Sequence, residues 1–344
     1  FIPPELDSFV QSSEAERQNY SIKRGDVFLT RTSETSDELG MSCVALKDYP
    51  NATYNGFTKR MRPFTDRILP EFIGYYMRMP SFRGEFLAFS TMTTRASLKN
   101  EDLLGLQIRL PEKETQKRIA DILSAYDNLI ENNQKQIKLL EEAVQRLYKE
   151  WFVNFRFPGY EDTPIVDGVP EGWERLPVGE LIEKIPRTTQ IMASEYGKEG
   201  PIPIIDQSRE FIAGYTDNHA SLVNVGKPVI VFGDHTRILK YIQFPFAKGA
   251  DGTQLIVSNT DRMPQSLFYC SLVGVDLSNY HYARHFKYLK AEELLVPTQV
   301  IAEAFDRFVS PMFSKIQRLR DINKAATNAR DRLLPKLMSG EIEV

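Results

Sequence analysis

Four histidines, two cysteines and a scatter of carboxylates are the side chains of this 344-residue chain whose types could do chemistry. Asp234-His235 sets a carboxylate beside an imidazole, the pairing from which a general base is made, and a hydrolase built on Asp234 and His235 is one reading. The same pair adjoins Thr236-Arg237 in a polar stretch, where hydrogen-bonding surface is the plainer reading. His281 and His285 would share one helix face, but no third ligand stands at a suitable spacing, so no metal site is expected. Cys43 and Cys270 are too far apart in sequence for a CxxC, which excludes a zinc ribbon or a disulfide framework and points to a reducing compartment.

Other catalytic signatures are missing. There is no GxxxxGK[ST] phosphate cradle and no GxGxxG opening a helix after a strand, so ATP and dinucleotide binding are not expected. No Asp or Glu is followed two positions later by Lys, as in a common restriction-nuclease metal site, and no Asn-Pro-Pro-Tyr or Asp-Pro-Pro-Tyr is present to grip a target adenine. No catalytic residue is assigned.

What is left is polar recognition chemistry, and it occurs twice. Arg31-Thr32-Ser33-Glu34-Thr35 follows the strand-like Val27-Phe28-Leu29, and Asp234-His235-Thr236-Arg237 follows the strand-like Val229-Ile230-Val231. Arginine pairs with guanine O6 and N7, carboxylates accept from cytosine N4, and Ser or Thr reaches either, so such loops at strand ends suit base reading. Lys59, Arg60, Arg62, Thr94 and Arg95 accompany the first loop. Lys240, Lys248, Thr253, Arg284, Lys287, Tyr288 and Lys290 accompany the second, supplying phosphate-type donors with interleaved aromatics. Each loop taken alone reads as solvated surface; their duplication raises the reading.

These loops must be positioned by something, and two long helical stretches dominate the rest. From Glu112 to about Phe157 the chain lacks Pro and Gly until the end, and Ile119, Leu123, Tyr126, Ile130, Asn133, Ile137, Leu140, Val144, Leu147 and Trp151 step by four and three as a heptad seam. The polar Asn133 on that seam selects register at a cost in stability. A second stretch, from about Thr298 to Leu337, puts Ile301, Phe305, Phe308, Met312, Ile316, Leu319, Ile322, Ala326, Ala329 and Leu333 on one stripe, with Pro311 expected to bend it. The two stripes are natural antiparallel partners.

The chain also repeats itself. Lys99-Asn-Glu-Asp-Leu103 recurs as Lys290-Ala-Glu-Glu-Leu294, the turn Asn55-Gly56 as Asp251-Gly252, and the strand at Val27 as the strand at Val229, always in the same order. A period near 190 residues is a duplicated domain rather than a solenoid. Spacing from Trp173 to Val229, set against the short segment before Val27, implies that roughly 30 residues of the first copy are missing.

The expected organisation is a first domain over residues 1–110, a long helix over 111–157, a second domain over 158–297 and a distal helix over 298–344. Composition permits this. The chain is 42% hydrophobic with a formal charge of −3, globular in character and far from polycationic, so nucleic-acid contacts must come from local basic patches. No apolar run approaches the roughly 18 residues of a membrane span, and a cytoplasmic protein is expected. A structural adaptor that binds two proteins through a coiled-coil spacer fits the helices but leaves the paired Arg/Ser/Thr loops unexplained.

The residues resemble the specificity subunits of type I restriction-modification systems across nearly the whole chain. The resemblance is carried by Gly25-Asp26-Val27-Phe28-Leu29-Thr30-Arg31-Thr32-Ser33-Glu34-Thr35, by the helical segment from Gln116 to Asn133, by Leu147-Tyr148-Lys149-Glu150-Trp151-Phe152-Val153-Asn154-Phe155, by Val231-Phe232-Gly233-Asp234-His235-Thr236-Arg237, and more weakly by Lys248-Gly249-Ala250-Asp251-Gly252-Thr253 and Leu333-Leu334-Pro335-Lys336-Leu337-Met338-Ser339-Gly340. It implies an α+β protein with two similar α/β target recognition domains, related by a pseudo-twofold duplication and separated by two long antiparallel coiled-coil helices. Each domain would read half of a bipartite, asymmetric site on double-stranded DNA. Two methylation subunits would dock on the helices, joined by restriction-translocation subunits. S-adenosylmethionine, ATP and Mg would belong to those partners, with no cofactor in this chain.

Overall fold

In the computed structural model the protein is α+β, and residues 1–33, 38–88, 91–92, 96–97, 99–280 and 284–344 are described. The chain divides into two compact units: Phe1–Asn132 with Ile322–Val344, and Asn133–Asp321.

The first unit is organised around an antiparallel three-stranded sheet with Val27–Thr30 in the middle, flanked by Ser42–Val44 and Thr58–Met61. Side chains alternate across a strand. Val27 and Leu29 accordingly enter a core with Phe72, Ile119, Leu123 and Leu334, while Phe28 faces a smaller cluster with Ile22 and Tyr49. The buried Asp26 at the head of this strand accepts from Arg62 Nε and Nη2 at 2.6 and 2.7 Å. Arg62, expected among the phosphate donors, is therefore committed to the framework.

The second unit repeats the pattern: Val229–Gly233 is central, with Leu239–Ile242 and Thr253–Ile256 antiparallel on either side. Ile230 and Phe232 face a core with Phe268, Leu289 and Phe305, whereas Val229 and Val231 face Ile205, Val223 and Phe246. Because both faces are covered, the strand reads as an unbroken apolar run. A second sheet in this unit orders its strands Gly214–Thr216, Ile202–Ile205, Phe246–Lys248 and Leu222–Val223, with Ile202–Ile205 parallel to Phe246–Lys248.

One piece of the sequence repeat does not carry over. Lys99 precedes the helix Asn100–Gly105, whereas Lys290 lies at the end of the helix His285–Ala291 and Leu294 sits in the strand Glu293–Val296. The strands and turns repeat; that pentapeptide does not.

The long helices run Lys113–Tyr148 and Gln299–Ser339, the second unbroken through Pro311. The first ends earlier than the expected Phe157. A π-helical turn at Lys149–Val153 follows it, and Phe155 turns the chain at φ 57°, so that Phe152 and Phe157 both pack on Trp173. In the first unit Ile119 and Leu123 share a core with Leu334, Leu337 and Met338, and Arg330 pairs with Asp127 at 2.5 Å. In the second, Val144 and Trp151 share a core with Phe305, Val309, Phe313 and Ile316, and Arg320 pairs with Glu141 at 2.9 Å. The helix segments are antiparallel within each unit. Ile137, Leu140, Leu147 and Met312 are half-buried against the same core, and Asn133, Leu319 and Ala326 are buried. Phe308 and Ile322 depart from the expected stripe: both are exposed, and Val309 and Phe313 take the inward positions.

Candidate nucleic-acid interface

In the second unit, strand pairing brings four strand ends together. Ile202–Ile205 and Phe246–Lys248 are parallel, so their C-terminal ends coincide, and Gly233 pairs with Thr253, setting the end of one strand beside the start of another. Three loops leave from this point: Asp206–Arg209, Asp234–Ile238 and Gly249–Gly252. The helix His285–Ala291 abuts them, since the His285 N–H donates to the Asp234 carbonyl at 2.9 Å.

The exposed chemistry at this edge comprises His235, Thr236, Arg237 and Asp251, with Arg284 at the cap of the adjoining helix and Lys287 on it. The His235 N–H donates to Gln207 Oε1 at 3.1 Å and Thr236 Oγ1 donates to the Gln207 carbonyl at 2.7 Å. Arg237 adopts φ 61°, the left-handed region in which non-glycine residues are uncommon, and its Nη1 donates to the Leu277 carbonyl at 3.1 Å. That contact uses one of five guanidinium N–H groups, leaving a fixed fork with spare donors. Tyr288 stacks on Tyr280 with ring centroids 4.0 Å apart.

Several expected contacts are instead structural. Asp234 is buried, its Oδ1 accepting the Phe286 N–H at 2.7 Å, so it does not present a carboxylate to bases. Nor does it form a general-base pair with His235, because the carboxylate is spent on that helix terminus. Thr253 is fully buried and staples its own turn through Oγ1 to the Ala250 carbonyl at 2.9 Å. Lys240 is buried, donates to the Glu210 carbonyl and lies 3.8 Å from Asp206, with burial pushing its ammonium down from the usual lysine range. Lys248 is half-buried and shifted the same way by desolvation, opposed by Asp251. Both ring nitrogens of the buried His285 meet carbonyl oxygens, of Asp234 at 2.8 Å and Tyr280 at 2.9 Å, which removes it from metal ligation. His281 lies outside the described residues. Among the described residues no group of three His, Cys, Asp or Glu side chains could hold a metal.

In the first unit Arg31 is exposed just beyond the central strand, tethered by its N–H to the Phe57 carbonyl at 2.8 Å. Thr32 is half-buried and paired with Ser97. Ser33 is buried and donates to Glu38 at 2.8 Å. Lys59 donates to Asn100 Oδ1 at 2.6 Å, and Arg60 donates to the Ser21 carbonyl at 2.8 Å while lying over the Tyr54 ring. Ser33 and Arg60 thus serve the framework. Thr35, Thr94 and Arg95 lie outside the described residues.

Residues 4–142 match the family described as type I restriction modification DNA specificity domain. The chain is 26% identical to the type I restriction enzyme MjaIX specificity subunit of Methanocaldococcus jannaschii over 328 residues, covering 88% of this chain and 75% of that protein. It is 23% identical to the HindI specificity subunit of Haemophilus influenzae, over 94% of this chain and 87% of the other. Its fold is similar to that of the type I restriction-modification S subunit from M. genitalium, with a TM-score of 0.60 at 15% identity, covering 92% of this chain and 84% of that one. Residues 4–142 are thus similar to the DNA specificity domain of type I restriction-modification systems, and the relatives support a role in sequence-specific DNA recognition.

Two residues that sequence reasoning missed hold the edge together. Gln207 contacts both neighbouring loops, and Tyr196 accepts the Ala250 N–H at 2.8 Å while donating to the buried Asp206 at 3.3 Å. Neither belongs to a motif. The available signal was indirect: Gly249 and Gly252 imply close approach by some other group, and a Cβ on Gly249 would strike the Tyr196 hydroxyl. No helix among the described residues is long and apolar enough to cross a membrane.

Proposed function

We propose that the chain is a type I specificity subunit and that each of its units reads one half of a bipartite, asymmetric site on double-stranded DNA. In this reading the two long helices set the spacing between the halves and dock two methylation subunits, with restriction-translocation subunits completing the assembly. The chain itself is non-catalytic. Methyl transfer from S-adenosylmethionine, ATP hydrolysis and Mg-dependent cleavage belong to the partners.

The observation that carries the reading is the convergence of strand ends in the second unit, which places His235, Thr236, Arg237 and Asp251 on one pre-formed edge. Its counterpart is the exposed Arg31 after the equivalent strand of the first unit. Donors and acceptors mixed on a rigid edge suit base discrimination, whereas phosphate contacts alone position without specifying.

The test uses the full chain co-purified with its methylation subunit and a duplex library carrying a randomised segment. Wild type should select a motif in two parts. Arg237→Ala should relax one position in one part, by about 1–3 kcal/mol of discrimination, and leave the other part intact. Loss of both parts together, or relaxation in both, would overturn the two-reader arrangement.

A further inference from the structure

We infer that Gln207 is the positioning residue of the second unit's reading edge, holding three loops from different strands in one geometry; this rests on the DNA reading above. Three of its four polar groups are engaged at once. Oε1 accepts the His235 N–H at 3.1 Å, Nε2 donates to the Asp251 carbonyl at 2.7 Å, and the main-chain carbonyl accepts Thr236 Oγ1 at 2.7 Å. The side-chain amide therefore bridges the loop after Val229–Gly233 to the turn before Thr253–Ile256. Its orientation is set by its partners, an N–H on one side and a carbonyl on the other.

The surrounding glycines leave room for it. A Cβ on Gly252, which sits at φ 85°, would lie 2.6 Å from Gln207 Nε2 and 2.8 Å from the His235 ring. A Cβ on Gly233 would lie 2.9 Å from Gln207 Cβ and collide with the Thr236 hydroxyl. Backbone elements that could have carried side chains are bare where Gln207 passes. Behind it, Asp206 is buried and accepts the Ser208 N–H and hydroxyl at 2.9 and 2.6 Å, so the segment that presents Gln207 is itself fixed.

The consequence is energetic rather than chemical. Three short surface loops held separately would be ordered only on binding, and that ordering subtracts from affinity for the correct site. Bridged by one amide, His235, Thr236 and Asp251 keep their spacing before DNA arrives. Gln207 needs no base contact to act; it determines where the reading side chains stand.

Gln207→Met preserves length and packing but removes both side-chain hydrogen bonds, and Gln207→Glu keeps the acceptor for His235 while opposing the Asp251 carbonyl. Two readouts are taken on the full chain with its methylation subunit: amide hydrogen exchange at His235, and selection from a duplex library with a randomised segment. Gln207→Met should speed exchange at His235 by about tenfold and lower selectivity in one motif half by a similar factor, with Gln207→Glu intermediate. The half read by the first unit should persist in both variants. Wild-type exchange at His235, or faster exchange with an unaltered motif, overturns the positioning role. A wild-type complex that selects no motif overturns the DNA reading itself, and the specificity role of Gln207 with it.

Discussion

The Asp234 carboxylate caps a helix that begins 51 residues later in the chain: its Oδ1 accepts the N–H of Phe286 at 2.7 Å, while its main-chain carbonyl accepts the His285 N–H and lies 2.8 Å from His285 Nδ1. Helix N-termini leave unpaired N–H groups, and the residue at the local cap position, Arg284, makes no side-chain cap bond. A remote carboxylate supplies it. Asp234→Ala should therefore destabilise the protein by about 2 kcal/mol, as expected for loss of a cap that is also a buried, charge-assisted hydrogen bond. Asp234→Asn, which keeps an acceptor, should lose less. Urea denaturation of the three proteins measures this, and equal losses for Ala and Asn would show that the Phe286 contact is not what holds the helix.

That bond also marks the limit of what the sequence disclosed. The long helices were readable because a seam needs only periodicity, and Val144 or Trp151 faces inward for the same reason that it recurs every three or four residues. The central strands were readable as apolar runs after turns. The site was only half readable. A polar residue at a strand end looks the same whether its side chain is exposed, like His235, or turns back to satisfy a neighbouring backbone group, like Asp234 and Thr253. The difference depends on which distant segment packs against it, and the helix at His285 has no local signature that points to Asp234. Gln207 was invisible for the same reason: its partners come from loops joined to it only through sheet pairing.

Alkaline pH should weaken the fold. Burial pushes the Tyr269 hydroxyl up to about 12 and the Cys270 thiol higher still, and raises Tyr75 and Tyr241 likewise. In the unfolded chain these groups ionise near their ordinary values, about 8.5 for Cys and about 10 for Tyr. An acid whose folded pKa is raised keeps its proton in the native state while the unfolded chain sheds it. Its stabilisation is complete below the unfolded pKa and is lost as pH rises toward the folded one, at up to about 1.4 kcal/mol per pH unit for each group. Lys240 and Lys248 act in the opposite sense, because burial lowers their pKa and the unfolded lysine stays protonated until about 10.4. They offset two groups against four. The urea midpoint should fall steeply above about pH 9, and Cys270→Ala should flatten the early part of that fall. A midpoint that is level or rising across that range would mean that the four buried acids do not govern the alkaline limb.

In the first unit Asp127 joins the two long helices to the domain: Tyr75 Oη donates to it at 2.6 Å and Arg330 Nη1 at 2.5 Å, with Arg330 also pairing with Asp331 at 2.8 Å. The pair is half-buried, so it is worth more than an exposed ion pair, which typically contributes less than about 1 kcal/mol. Tyr75→Phe should lower stability by about 1 kcal/mol through loss of one charge-assisted bond. Arg330→Met should lose more, since Asp127 then keeps its burial and only one partner. In a double-mutant cycle the two changes should couple, because both act on one carboxylate. Additive losses would mean that Tyr75 and Arg330 act independently of Asp127.

Both long helices contribute residues to both units, the first dividing at Asn132 and Asn133 and the second at Asp321 and Ile322. If the helices set the spacing between half-sites, adding four residues to each at that division should lengthen the spacer. Four helical residues add about 6 Å and about 40° of rotation beyond a full turn. One base-pair step adds about 3.4 Å and about 35° of twist. Translation and rotation therefore both favour a spacer longer by one or two base pairs, with the helix seam absorbing a four-residue insertion by local unwinding. A seven-residue insertion is a sharper control. It keeps the heptad face but adds about 10.5 Å with about 20° of rotation in the opposite sense, whereas three further base pairs would turn the DNA by about 100°. The seven-residue variant should fold and assemble yet select its longer site far more weakly than the four-residue variant selects its own. Selection from libraries with variable spacers decides the matter: altered bases at constant spacing, or equal tolerance of the two insertions, would remove the helices as the ruler.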